Sequence, residues 1–221
     1  ITDVPTCVWG NSTQIANVGT SNSRVYHTGN GGTNWSAVPV STVTSVVYNI
    51  NFFDSNNGII IGAPHSSGSW FTGTTTNAGT AWAKGITLPT PLSGETTQSS
   101  AIVWNGDVGW IGTTKGRIIK TTDKGQTWNT FSIGSSDAVT QLAFSTTKNG
   151  FALVRTSPTI SVAAKVYTTT DGGETWAATG YQFNQAGVHP VYAYAPVNSL
   201  QLLAVCSGSQ VMASVDNGKT W

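Results

Sequence analysis

Apolar residues fall in short bursts of alternating pattern, separated by turns rich in Gly, Asn and Asp, and no stretch sustains the 3.6-residue apolar period of a helix. Pairs of bursts joined by a turn recur along the chain. Residues 50–53 and 59–61 flank a turn from Asp54 to Gly58, and residues 102–104 and 110–111 flank one from Asn105 to Gly109. Residues 142–144 with 151–154, and 192–194 with 200–203, repeat the arrangement. A third burst follows at 24–26, 117–119 and 165–167, and a fourth comes after a Trp, as in 128–133. The pattern predicts antiparallel four-strand units and an all-β chain almost without helix.

Between the third and fourth bursts lies a repeated motif: a hydroxyl residue, Asp or Asn two positions on, Gly two further, and Trp three after that. The five copies are Thr28, Asn30, Gly32, Trp35; Thr75, Asn77, Gly79, Trp82; Thr121, Asp123, Gly125, Trp128; Thr169, Asp171, Gly173, Trp176; and Ser214, Asp216, Gly218, Trp221. Their Trp residues recur at intervals of 45 to 48 residues. Each copy reads as a tight hairpin. The Asp or Asn accepts hydrogen bonds from the backbone just after it, Gly supplies a positive-φ position, and Trp opens the next strand against an apolar neighbour. Four short strands in each repeat fit one blade of a β-propeller. The blades fall over residues 1–40, 41–88, 89–134, 135–181 and 182–221, the last without its outer strand.

The motif Ser/Thr-x-Asp-x-Gly-x-Thr-Trp resembles the Asp-box, or bacterial neuraminidase repeat, across the whole chain. The last three copies match fully. The first two have Asn30 and Asn77 for the Asp, and Asn34 and Ala81 for the Thr, and are expected to be looser. Asp-box propellers include sialidases, xyloglucan-type endoglucanases, sortilin-like receptors, photosystem II assembly factors and secreted bacterial surface proteins. Pairing of the box with a turn such as Phe53-Asp54 through Gly58 is most similar to the assembly-factor and surface groups. The resemblance implies architecture more than chemistry, because one fold hosts many functions.

Closure of a ring needs the last blade to meet the first. Trp9 reads as the innermost-strand aromatic of the first blade, so residues 1–8 cannot also supply the outer strand of the fifth. The expectation is a portion of a larger ring of six or seven blades. The rival is a five-bladed ring, in which Cys7 and Cys206 would be neighbours able to form a staple; two small buried thiols are the other reading.

Charged residues make up only 9% of the chain, Lys and Arg total 10 against 9 Asp and Glu, and the formal net charge is +1. This argues against a nucleic-acid partner, which calls for clustered positive charge. No run approaches the length of a membrane-spanning helix. The hydrophobic share of 38% and nine Trp suffice for a core, under a surface rich in hydroxyls and amides.

Few groups remain for chemistry. The box acids Asp123, Asp171 and Asp216 are committed to turns, Asp54 and Asp107 sit in the other hairpin turn, and Glu174 is expected to be solvated. Asp3, Glu95 and Asp137 each precede an innermost strand, on the mouth opposite the boxes. Glu95 and Asp137 are thus the weak candidates for a glycosidase acid and base. Arg24, Arg117 and Arg155 invite comparison with the arginine clamp of sialidases. However, Arg24 and Arg117 share a repeat position with Lys165, Arg117-Ile118-Ile119 departs from the Arg-Ile-Pro signature, and no Tyr-Glu pair is assignable. No catalytic residue, metal site or cofactor is assigned. Binding candidates are His65 and Trp70 in the long loop of the second blade, Arg155 in the fourth and His189 in the turn 184–189.

The reading is a non-catalytic, secreted or cell-surface propeller that recognises a glycan or protein partner, for adhesion or within a larger assembly. The alternatives are a glycoside hydrolase of sialidase or endoglucanase type, and an assembly factor docking a partner protein through Arg24, Arg117 and Lys165.

Overall fold

The computed structural model describes residues 3–40, 45–65, 68–158, 162–183, 190–194, 202–206, 210–216 and 218–221. The chain divides into two compact units, one of residues 1–94 with 123–127, the other of residues 95–122 with 128–221.

The first unit holds two four-stranded antiparallel sheets, each a meander in chain order. The first sheet runs β1 (Pro5–Gly10), β2 (Ala16–Thr20), β3 (Arg24–Thr28) and β4 (Ser36–Pro39). The second runs β5 (Val47–Phe52), β6 (Gly58–Pro64), β7 (Trp70–Thr75) and β8 (Ala83–Lys84). They share a core of Val25, Val40, Val47, Ile50, Phe52, Ile60, Phe71 and Trp82. Each β-branched or aromatic side chain so buried contributes roughly 1.5–3 kcal/mol. The aromatic of β5 that packs is Phe52 and not Phe53: Phe52 meets Trp82 edge-on at 5.9 Å and stacks on Trp9 at 6.4 Å. β5 ends at Phe52, which moves the expected register by one residue.

The second unit holds three sheets. The third sheet runs β9 (Ile102–Asn105), β10 (Val108–Gly112), β11 (Arg117–Thr121) and β12 (Asn129–Ser132), preceded by a single 3-10 turn, Ser99–Ala101. The fourth runs β13 (Ala138–Phe144), β14 (Gly150–Arg155), β15 (Ala164–Thr169) and β16 (Ala177–Phe183); the fifth has β17 (Pro190–Tyr194), β18 (Leu202–Cys206) and β19 (Gln210–Ser214). One core joins the third and fourth sheets through Trp110, Ile118, Val139, Leu142 and Phe144. Another joins the fourth to the fifth, where Met212 and Trp221 pack on Phe151, Val166 and Phe183.

Two devices repeat in both units. A second-strand glycine admits a Val of the next sheet: an added Cβ would lie 2.6 Å from Val47 at Gly19 and 2.4 Å from Val139 at Gly112. One turn along β2 and β10, a side chain latches onto the next box, Asn17 Nδ2 donating to the Ala78 carbonyl at 3.1 Å and Trp110 Nε1 to that of Gly172 at 2.7 Å.

The box geometry explains its residue choice. In the fourth sheet Thr169 Oγ1 donates to Asp171 Oδ1 at 2.8 Å and accepts from Gly173 N at 2.9 Å. Asp171 then accepts from Thr175 N at 3.0 Å on Oδ1 and from Thr175 Oγ1 at 2.5 Å on Oδ2. The Asp216 box repeats this set with Ser214, Gly218 and Thr220. The Asn boxes are not loose. Thr28 and Thr75 bond Asn30 and Asn77 at 3.0 and 2.8 Å, and Asn34 N and Ala81 N reach the same Oδ1 atoms at 2.9 and 3.0 Å. An amide has no second acceptor for a Thr hydroxyl, so losing the Asp removes the use for the Thr.

Candidate functional site

The end of the sheets opposite the boxes carries a third repeat, which the strand order makes inevitable. The segment entering each innermost strand and the start of each third strand lie at the same end of a meander. An acid on the first and a base on the second therefore meet. In the first unit Arg24 Nη1 lies 3.2 Å from Asp3 Oδ2, and Asn22 Nδ2 donates to Asp3 Oδ1 at 2.9 Å. The hydrogen bond from Asn22, aided by Arg24 and Tyr26, holds the Asp3 carboxyl below its usual range.

The second unit contains two such pairs. Arg117 Nη1 lies 3.3 Å from Glu95 Oε2, and Thr113 Oγ1 donates to Glu95 Oε1 at 2.6 Å. Lys165 Nζ donates to Asp137 Oδ2 at 3.0 Å, which raises the lysine's pKa through that bond and the carboxylate charge. The two sites adjoin. Val139 N donates to the Thr113 carbonyl at 3.0 Å, and Ile133 N to that of Gly116 at 2.9 Å. Gly116 adopts φ +70°, and a Cβ there would lie 1.8 Å from the Ser135 carbonyl.

In every pair the cation lies outside the acid. Side-chain exposures are 51% for Arg24 over 7% for Asp3, 16% for Arg117 over 0% for Glu95, and 39% for Lys165 over 22% for Asp137. Exposed Lys115 adds a further charge to the turn beside Arg117. The rim therefore offers positive charge with acids beneath it. Glu95, fully buried and held by Thr113 and Arg117, braces this arrangement; it does not present a carboxyl to solvent.

Arg155, expected at the surface, is 1% exposed. Its Nε donates to the Val162 carbonyl at 3.2 Å and its Nη1 to Thr140 Oγ1, and burial lowers its pKa. The Thr140 carbonyl in turn accepts from Ser100 Oγ at 2.9 Å. Arg155 thus ties β14 to β13 and shapes the rim from within. Trp70 is 5% exposed, with Nε1 donating to the Pro89 carbonyl at 3.0 Å, so it packs in its sheet and offers no stacking platform. His65 is half-buried in a turn closed by its N–H to the Ser69 carbonyl at 3.0 Å. His189 and the turn 184–189 lie outside the described residues.

Three further corrections arise here. Glu174 is not simply solvated, since Lys120 Nζ lies 3.0 Å from its Oε1. Cys7 is a free thiol, not half of a staple; it faces the Val47 carbonyl at 3.7 Å, and burial pushes its pKa up to about 11. Asp54, by contrast, is spent on its own turn, accepting from Asn57 Nδ2 at 2.8 Å and the Asn57 N–H at 2.7 Å. Among the described residues no group of three or more His, Cys, Asp or Glu is placed to hold a metal ion, and no helix is long and apolar enough to cross a membrane.

The family described as photosynthesis system II assembly factor YCF48 matches residues 39–189. The chain belongs to the YCF48 family. Among solved structures, one described as YCF48 bound to D1 peptide is similar over 100% of this chain and 68% of its own length, at 17% identity and a TM-score of 0.67. YCF48 from Cyanidioschyzon merolae is similar over 96% of this chain and 69% of that one, at 17% identity and 0.65. A GH74 xyloglucanase from Xanthomonas campestris follows at 13% identity and 0.66, over 99% of this chain and 37% of that enzyme. At such identities the likeness shows the fold, a β-propeller built of these sheets as blades. No match was found among curated protein sequences. Membership of the YCF48 family corrects one expectation. Photosystem II assembly factors act in the thylakoid lumen and not on a cell surface, so the secreted, cell-surface placement is overturned. Adhesion and carbohydrate binding find no support in the family either.

Proposed function

We propose that this chain is an assembly factor that docks an anionic peptide segment of a partner protein on the cation-bearing rim of its blades. The observation that carries the reading is the family match, joined to the outward order of the charges: Lys115, Arg117 and Lys165 stand above Glu95 and Asp137 in the second unit. Arg24 repeats the arrangement in the first. A relative is described as bound to a D1 peptide, which makes an extended peptide the apt class of partner. Buried acids hold the cations in place without cancelling them at the surface, so a peptide carboxylate gains both attraction and bidentate hydrogen bonding where it meets an arginine.

Fluorescence anisotropy with a labelled D1 peptide tests the proposal. Binding should weaken as salt rises, because contacts between exposed charges are screened. Lys165→Gln and Lys115→Gln should each lower affinity and flatten the salt dependence. Salt-independent binding, or full affinity in both variants, refutes the rim as the docking surface.

A further inference from the structure

One third-strand position faces the following sheet and is closed off by it wherever such a sheet is described. Val25 is 0% exposed, Ile118 0% and Val166 1%. Each stands three residues before its box hydroxyl, Thr28, Thr121 or Thr169. The same position before Ser214 is Val211, which is 68% exposed. Val215 is 72% exposed, and exposed Ala213 lies between them on the same side of β19. The intervening Met212 turns the other way, onto the fourth sheet's core. The fifth sheet therefore carries a dry inner face and an apolar outer one.

The innermost strands show the reciprocal arrangement. Ile50, Ile102 and Leu142 pair with the equivalent second-strand residues Ile60, Ile111 and Ala152, and are 2%, 7% and 4% exposed. Val8, paired with Val18, is their counterpart in β1, yet it is 69% exposed, with Val4 beside it at 67%. Inside the units the two kinds of position meet: Val25 shares a core with Ile50, and Ile118 shares one with Leu142. Val211 and Val8 are the two halves of that same contact, each without its counterpart.

We propose that the chain self-associates head to tail, with the β19 face of one copy seated on the β1 face of a second. The contact continues the sheet-on-sheet interface that the sequence already builds within each unit. Neither Pro5–Gly10 nor Gln210–Ser214 contains a charged residue, so no charge is desolvated on either side. Because the two faces differ, the association is heterologous and leaves one of each face open.

Sedimentation of the 221-residue protein over a wide concentration range tests this. The wild type should gain mass with concentration. Val8→Lys and Val211→Lys alter exposed residues and should keep the wild-type circular dichroism and urea midpoint, while each loses association by at least ~10-fold. Their equimolar mixture should form a dimer and nothing larger, since the first variant retains the β19 face and the second the β1 face. A wild type that stays monomeric at every concentration, leaving these faces to another occupant such as a further sheet, overturns the proposal. So does a mixture that forms no dimer, or a variant that still associates.

Discussion

Replacing Arg117 with Met asks whether the Glu95 pair is a structural brace beneath the rim. The Glu95 side chain is 0% exposed, with Arg117 Nη1 at 3.3 Å and Thr113 Oγ1 at 2.6 Å. Met preserves much of the packing of the arginine stem but leaves the carboxylate without this cation. Breaking a buried ion pair by removing one partner costs about 3–5 kcal/mol. Arg117 retains 16% exposure, so solvent screens part of the interaction and the lower end applies, about 3 kcal/mol. Domains of this kind hold only ~5–15 kcal/mol in all, so the loss should be plain. The Asp3 pair is the control: Arg24 is 51% exposed, and Arg24→Met should cost less than about 1 kcal/mol. In the double variant Glu95→Gln/Arg117→Met no charge is buried and the Gln oxygen can still accept from Thr113. It should recover at least about half of the single-variant loss, a coupling within the usual range for touching residues. Urea unfolding followed by Trp fluorescence and far-ultraviolet circular dichroism supplies the numbers, provided the two probes coincide. An Arg117→Met protein within ~0.5 kcal/mol of wild type, or a double variant no better than the single, refutes the brace.

Other consequences concern the boxes and the joints between sheets. Burial works to raise the Asp171 carboxyl, but bonds from Thr175, Thr169 and the Glu174 N–H outweigh it and hold it at about 2; bonds led by Thr220 hold Asp216 at about 2 as well. The folded-state values lie below the unfolded ones, so this stabilisation is fully present above about pH 4 and lost as pH falls through about 2; a urea midpoint unchanged down that interval would contradict it. Gly112→Ala should destabilise by ~1–3 kcal/mol, since its Cβ would lie 2.4 Å from Val139, whereas Gly10→Ala meets nothing within 4 Å and should be nearly neutral; equal midpoints would exclude the close fit. Trp110→Phe can keep the 3.7 Å stack on Phe144 while losing the 2.7 Å bond to the Gly172 carbonyl, and calorimetry should show a loss of ~1–3 kcal/mol; an unchanged melting temperature would mean the latch contributes nothing.

The sheets were legible because a two-residue strand period and a recurring box leave one arrangement that buries every aromatic. The ion pairs were legible only in part. Asp3, Glu95 and Asp137 were recognised as one set and Arg24, Arg117 and Lys165 as another, yet nothing short of the strand order brings the two together. A signal for it stood in the sequence. The second sheet has Phe71 where the others have a cation, and residues 41–46 ahead of its innermost strand hold no acid. The fifth has Gln210 at that place, and no acid among 182–190. Acid and base are present together or absent together, as partners must be. Trp70 and Arg155 misled for a different reason. Both stand at strand ends next to long loops, where exposure is usual, but each found a carbonyl, of Pro89 and Val162, that allowed it to be buried.

The same pairs show why whole-chain charge was too coarse a guide to partners. A net charge of +1 spread evenly would give no reason to expect an anionic ligand. Here the charges are layered: each base is more exposed than the acid beneath it, so a molecule approaching the rim meets cations first and feels the acids only through protein. Interaction falls with distance, and salt screens solvent-exposed charges. A peptide carboxylate touching Lys165 is therefore attracted more strongly than Asp137 behind it repels. Burying the acids also fixes the cations in orientation, so less side-chain freedom remains to be lost on docking. Low overall charge and a selective anionic partner are compatible once depth is taken into account, and the salt dependence of peptide binding measures that depth directly.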